Sequence, residues 1–210
     1  MTTTVFFTVC WRKAWASLSL ALLLACGWAQ AQAPAPGTAA ITQLLVQRVD
    51  GELELSADVQ FELSPQVEDA LHKGIPMFFV AEVEIVRERW YWTDKLVASA
   101  TRHMRLAYQP LTRRWRLNVG PRPIDTSGLG VTLAQTFDSL PEALASVQRL
   151  ARWQIAHTAD IPADSAHQLR FRFALDVSQL PRPFQIGAVG QSEWSIAASA
   201  SMKLPAEGAK

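Results

Sequence analysis

The chain is short of most of the groups that make chemistry legible. It has two cysteines in 210 residues, Cys10 and Cys26. Both lie in an N-terminal segment that reads as removable, so the mature chain would have no disulfide, no thiol nucleophile and no cysteine-bound metal. Its four histidines, His72, His103, His157 and His167, show no H-x-x-x-H or similar spacing, which speaks against a transition-metal site. There is no G-x-S-x-G motif, so no serine stands in a recognisable nucleophile context. Gly128 and Gly130 form a lone G-x-G without a phosphate-loop lysine, and loop flexibility accounts for it. No run of like charge exceeds three residues, which argues against a nucleic-acid surface or a polybasic membrane surface. There are no fixed-period repeats, and the βαβ rhythm of a nucleotide-binding sheet is missing.

What is present begins with a targeting signal. Arg12 and Lys13 precede the apolar run Ala14–Ala25, and A-x-A sites follow at Ala29–Ala31 and Ala31–Ala33. This is the pattern of a secretory signal peptide over residues 1–31, and the run is shorter than the roughly 20 residues a membrane span needs. The expectation is an exported, periplasmic protein with no membrane span after cleavage. Leu23-Leu24-Ala25-Cys26 offers an alternative, a lipobox that would leave the chain lipid-anchored at Cys26. Cleavage near Ala31 removes two of the 20 basic residues and leaves 18 against 19 acidic ones. Residues 32–40 are small and proline-rich, a flexible leader. Residues 41–204 are enough for one domain, since a chain of about 150 residues buries roughly 70% of its unfolded surface. A frayed tail, 205–210, follows Leu204.

Within that domain the dominant period is two. Ile41–Val49 reads as a strand, Asp50-Gly51 as a type I′ hairpin turn, and Leu53 to Leu63 as an alternating strand with an acidic outer face and a bend or bulge near its middle. Ser64-Pro65 opens a short helix that Gly74 ends. Met77–Arg89 is the next strand. Leu96–Tyr108 follows as another, with helix the alternative over Asp94–Arg102. A turn at Gln109–Thr112 leads to strands at Arg114–Val119 and Val131–Phe137, with a loop at Pro121–Gly130 between them. Ser139-Leu140-Pro141-Glu142 is a capping box for a helix to about Ala151. After a loop at Thr158–His167 come strands at Leu169–Val177, Phe184–Val189 and Glu193–Met202. The prolines around Leu180–Phe184 read as a strand break, or alternatively as an extended recognition segment. The pattern predicts a mainly β fold, an antiparallel β-sandwich of about seven to nine strands with two short helices.

Several segments together resemble a known family. They are F-E-L-S-P-Q-V-E-D-A-L-H-K-G-I-P at Phe61–Pro76, R-E-R-W-Y-W-T-D-K at Arg87–Lys95, and Y-Q-P-L-T-R-R-W-R at Tyr108–Arg116. S-L-P-E-A-L at Ser139–Leu144 and D-V-S-Q-L-P-R-P-F-Q at Asp176–Gln185 complete the set. In this order they resemble an exported proteobacterial family catalogued as domain of unknown function 4390, from about Ile41 to Ser199. The loop at Pro121–Gly130 looks longer than the family pattern. The resemblance implies no activity, substrate or catalytic residue. It does imply a membrane sensor kinase as a candidate envelope partner, because the family's genes lie near a nitrogen-regulation sensor kinase.

The most chemically loaded stretch is Arg87 to Lys95. Arg87, Arg89, Trp90, Tyr91, Trp92, Asp94 and Lys95 form a candidate interaction surface, because aromatics beside arginines are common hot-spot residues. The structural reading is that the tryptophans close the end of the core while Asp94 pairs with Arg89 or Lys95. Glu82 and Glu84 share a strand face near Glu88, and such carboxylates can do acid–base work. Glutamates there more usually sit opposite arginines, here Arg114, Arg116, Arg170 or Arg172. The balance favours a non-enzymatic periplasmic protein-interaction module with no cofactor. The alternatives are a cell-envelope hydrolase using Glu82 or Glu84 with Glu88 or Asp94, and a lipid-anchored scaffold.

Overall fold

The structure, a computed structural model, describes residues 39–87, 94–124, 133–161, 166–188 and 192–204. The expected signal peptide, most of the leader and the tail beyond Leu204 lie outside these residues. The fold is mainly β and antiparallel, with two facing sheets. The smaller sheet holds β1 (Ala40–Val49), β2 (Glu52–Gln60) and β7 (Arg149–His157), in the order β1-β2-β7. The larger holds β3 (Met77–Arg87), β4 (Lys95–Gln109), β5 (Arg114–Gly120), β6 (Leu133–Phe137), β8 (His167–Leu175) and β9 (Ala197–Lys203), in the order β6-β5-β4-β3-β8-β9.

Alternation builds the core between the sheets. Leu53, Leu55, Ala57 and Val59 of β2 turn inward to meet Phe79, Ala81, Val83 and Ile85 of β3 and Leu169, Phe171 and Phe173 of β8, all buried. Phe61, just past β2, stacks on Phe173 and lies against Phe79, both at 5.5 Å between ring centres, and Phe79 stacks on Phe173 at 5.9 Å. Each phenyl ring withdrawn from water contributes about 1.5–3 kcal/mol, so this trio ties the two sheets together. Asp50 and Gly51 take φ of 51° and 82°. Two consecutive left-handed residues are what a type I′ turn requires.

The helices follow their caps. In α1 (Pro65–His72) the Ser64 hydroxyl accepts from the Val67 amide at 3.3 Å, and Val67, Ala70 and Leu71 are buried. Gly74 ends it at φ 83°, a conformation glycine adopts at no steric cost. In α2 (Leu140–Gln148) Ser139 caps the Glu142 amide at 3.4 Å. Helix α2 stops three residues before the expected Ala151 and passes directly into β7, a strand the periodicity did not predict. The reason is local. Buried Leu150, Trp153 and Ile155 are spaced three and then two apart, because the pairing of β7 with β2 shifts register twice. Arg152, at φ 43°, lies within the second shift. A bulged strand loses the period of two and imitates a helix.

Other boundaries differ for equally local reasons. Strand β2 ends at Gln60, so Phe61–Leu63 lie beyond it. The irregularity expected in its middle sits in its partners: β1 carries an extra residue at Thr42, and β7 carries the two shifts. Strand β4 is extended throughout, paired with β3 from Lys95–Arg87 to Leu106–Met77, so the helical alternative at Asp94–Arg102 is not taken. Where a strand was expected at Phe184–Val189 there is a third helix, α3 (Arg182–Ala188). Pro181 and Pro183 fix φ near the helical value at its start, and the Phe184 and Gln185 amides both donate to the Pro181 carbonyl. The segment expected as a last strand from Glu193 begins with a 3-10 turn, Ser192–Trp194, which buries Trp194 before β9.

Candidate functional site

The six-stranded sheet buries one face and presents the other. Opposite the inward Ala81, Val83 and Ile85, strand β3 presents Glu82 and Glu84. In register they lie between Arg172 and Arg170 of β8 on one side and Thr101 and Ser99 of β4 on the other. The Arg172 guanidinium is 3.9 Å from the Glu82 carboxylate. Arg170 bonds the carboxylate of Asp94, which precedes β4. Glu82, Glu84, Arg170, Arg172, Ser199 and Ser201 line an open depression of ≈ 450 Å³ on this face.

Of the sequence-predicted site, Arg87, Asp94 and Lys95 are described, while Arg89, Trp90, Tyr91 and Trp92, with Glu88, lie outside the described residues. Half-buried Arg87 ends β3, in register with Lys95 on one side and His167 on the other. Lys95 is exposed. The partner Asp94 takes among the described residues is Arg170, across the sheet, and Lys95 is not paired with it. Glu82 and Glu84 do sit opposite arginines, namely Arg170 and Arg172. Arg114 is engaged elsewhere, 3.2 Å from Asp138.

Sequence reasoning missed the other half of this face, on β4 and β5. His103 and Arg105 point outward from β4, opposite Gly120 and Asn118 of β5. Arg116, one pair further along, shares that face. Burial lowers the Arg105 pKa and the nearby charge of Arg116 lowers it further. The Arg105 guanidinium lies 6.0 Å from the centre of the Phe78 ring, and its buried Nε has no partner among the described residues. Neither arginine forms an ion pair among those residues. The buried Oδ1 of Asn118 and Nδ1 of His103 are likewise unpartnered there.

His103 is held below its ordinary pKa by burial, partly offset by Asp176 and Glu82. For Asp176 burial opposes ionisation, but hydrogen bonds from the Ser178 amide (3.0 Å), the Ser178 hydroxyl (2.6 Å) and the Gln179 amide group (2.7 Å), with His103, outweigh it. Its carboxyl therefore sits below the usual range.

A signal for this half was available in the charge order. Between Lys95 and Ile124 there are seven basic residues, Lys95, Arg102, Arg105, Arg113, Arg114, Arg116 and Arg122, and no acid. Counting runs of like charge hides this, because apolar residues interleave the arginines. Folding then sorts them. Arg102 faces inward, 4.9 Å over the Trp153 ring, and burial lowers its pKa, whereas Arg105, Arg114 and Arg116 share the outward face.

Among the described residues no serine hydroxyl bonds a histidine, and no three His, Asp or Glu side chains converge as a metal set. On one half of the outer face carboxylates lie beside guanidiniums, and on the other the Arg105 and Arg116 guanidiniums have no ion pair among the described residues. The fold and this face define a two-sheet antiparallel β domain with an open polar sheet surface. The chain belongs to the family described as Domain of unknown function (DUF4390), whose model matches residues 37–203. No curated protein and no solved structure matches it.

Proposed function

We propose that the chain is an exported, periplasmic, non-enzymatic module. On this reading it captures an envelope protein partner through the outer face of its larger sheet, at the end where Asp94 meets Arg170 beside exposed Lys95. The observation that carries this is the state of the carboxylates. Glu82 and Asp94 each meet a guanidinium on an open sheet face, a solvated arrangement suited to recognition. The hydrolase alternative pairs Glu82 or Glu84 with Glu88 or Asp94; of these, Glu82 and Asp94 are engaged with arginines, which leaves Glu84 without a second free carboxylate among the described residues. A membrane sensor kinase fits as partner only by the family's gene neighbourhood.

The test uses the full chain in its own cell. A photoreactive residue at Lys95 should give a discrete protein adduct, lost with Arg170→Glu, while one at Gln47, on the outer face of the small sheet, should not. Equal adducts from both positions, or none from Lys95, would overturn the reading. Fusion of residues 1–40 to a reporter active only outside the cytoplasm checks export, and Cys26→Ala separates a cleaved signal from a lipid anchor.

A further inference from the structure

We infer that β6 is a pairing edge for a second copy of this chain, the two larger sheets joining into one across a two-fold axis at Gln135. The inference goes beyond the partner-binding reading and uses a different surface.

The edges make the first argument. A strand at the end of a sheet leaves a row of backbone N–H and C=O groups without a ladder, and proteins blunt such rows with charge, bulges or cover. Four described strands end a sheet: β1, β7, β6 and β9. Three of them carry those devices. β1 has Arg48 and the extra residue at Thr42, and β7 has Arg149, Arg152 and two register shifts. β9 ends in Lys203 and lies against β1. β6 reads L-A-Q-T-F, with no charge and no proline, and it pairs with β5 without a register shift. Its one protection is shortness.

The side chains make the second. Leu133, Gln135 and Phe137 point to the inner side, in register with Val119, Leu117 and Trp115. Helix α2 reaches Gln135, whose Oε1 accepts from the Ser146 hydroxyl at 3.2 Å. Leu133 is nonetheless 72% exposed among the described residues. Laid antiparallel against itself about Gln135, the strand sets Leu133 opposite Phe137 twice, Ala134 opposite Thr136 twice, and Gln135 opposite Gln135. Apolar side chains meet apolar ones, small meet small, and amide meets amide. A two-fold interface requires this self-complementarity, and a charged strand would instead set like charges opposite each other.

The neighbouring charges permit the approach. Arg116 of β5 and its copy would stand three strand spacings apart, about 14 Å, beyond the screening length of about 8 Å at physiological salt. Asp138, next after β6, is already paired with Arg114 at 3.2 Å, and its two copies fall at opposite ends of the new pair. A ladder of five residues on each side falls short of the roughly 1,200 Å² that stable complexes bury. The dimer is therefore reversible and set by concentration.

The test is sedimentation of the protein purified from cells that express the full chain. Mean mass should climb toward twice the monomer over about 10 μM to 1 mM, and stop there, because the pair uses up the edge. Gln135→Lys sets like charges at the axis and should weaken association about fivefold, as should Gln135→Glu. An equimolar mixture of the two should associate at least as well as the parent, a rescue that misfolded variants would not show. Gln135→Cys should form an interchain disulfide on mild oxidation, since directly opposite residues hold their Cα atoms about 4.5–5.5 Å apart, within a disulfide's reach. Gln47→Cys should do so no more than the parent. The inference is overturned by a mass that stays monomeric at the highest concentration, by one that grows past the dimer, or by a mixture that fails to associate. Capture of a different protein by the Gln135→Cys chain, with the mass monomeric, gives the edge to another partner and also overturns it. Slow amide exchange along β6 at the lowest concentration does the same, by showing the edge covered by the chain's own residues. No arm of this test involves the Lys95 adduct, so either reading can fail while the other stands.

Discussion

The two halves of the outer sheet face are built from the same ladders yet hold their charge in opposite ways. On β3 and β8, glutamates and arginines meet in register, Glu82 with Arg172 and Glu84 with Arg170. On β4 and β5, Arg105 and Arg116 are diagonal neighbours on the same face, close enough for the charge of Arg116 to lower the Arg105 pKa. Charge pairs across strands contribute little, about 0.2–1 kcal/mol each, so neither pattern holds the fold together. The inner face does that. The outer face therefore carries its charge without a large share in stability, balanced on one half and not on the other among the described residues.

That comparison can be broken from behind. Phe173→Ala removes a ring from the Phe61–Phe79–Phe173 trio and should cost about 3–5 kcal/mol, read as a lower urea midpoint. Both halves should fail together, since both stand on the same core; a loss below 1 kcal/mol would mean the sheets are held apart from that trio. The comparison sharpens with matched charge reversals. Arg172→Glu puts a like charge opposite Glu82 and should lose about 0.2–1 kcal/mol, whereas Arg116→Glu gives Arg105 a partner and should gain about as much. Equal signs in the two melts would show that the halves do not differ.

The smallest effect is in pH. The folded His103 pKa is lowered, chiefly by burial, so the unfolded chain takes the proton more readily. The stability this contributes is complete above the ordinary histidine value of about 6.5 and is lost as pH falls from there through the folded value. Glu82 and Asp176 oppose the shift, which keeps the slope shallow. Asp176 acts in its own window: its folded pKa is lowered, so its contribution is present above about 3.9 and disappears as pH falls through the folded value. A His103→Gln chain should show a flatter stability profile from about pH 6.5 downward than the parent, with the Asp176 contribution in the lower acid limb reduced, since the His103 charge helps to lower that carboxyl's pKa.

Much of this was legible in the chain. Ser64-Pro65 and Ser139 announced two helices because a hydroxyl acceptor followed by a free amide is a purely local device. Asp50-Gly51 fixed the hairpin for the same kind of reason. Strand β7 was not legible, because the register shifts against β2 put Leu150, Trp153 and Ile155 at helix-like spacing. Helix α3 was missed because prolines both end strands and start helices, and the choice depends on where the chain must go next. At the site, the pairing of Glu82 and Glu84 with arginines was legible in kind, but Arg170 and Arg172 were singled out from four candidates only by the register of β3 with β8.

The sequence by itself determined which residues of the regularly alternating strands face inward, where most strands and two helices begin, and that charge is segregated along the chain. These follow from local sterics, capping and a period of two. Only the tertiary structure decided that Asp94 meets Arg170, that Arg102 lies over Trp153 while Arg105 and Arg116 share the opposite face, and that His103 stands near Asp176. Those neighbours are separated by up to 76 positions in the chain. Strand order and register bring them together, and no local preference encodes either one.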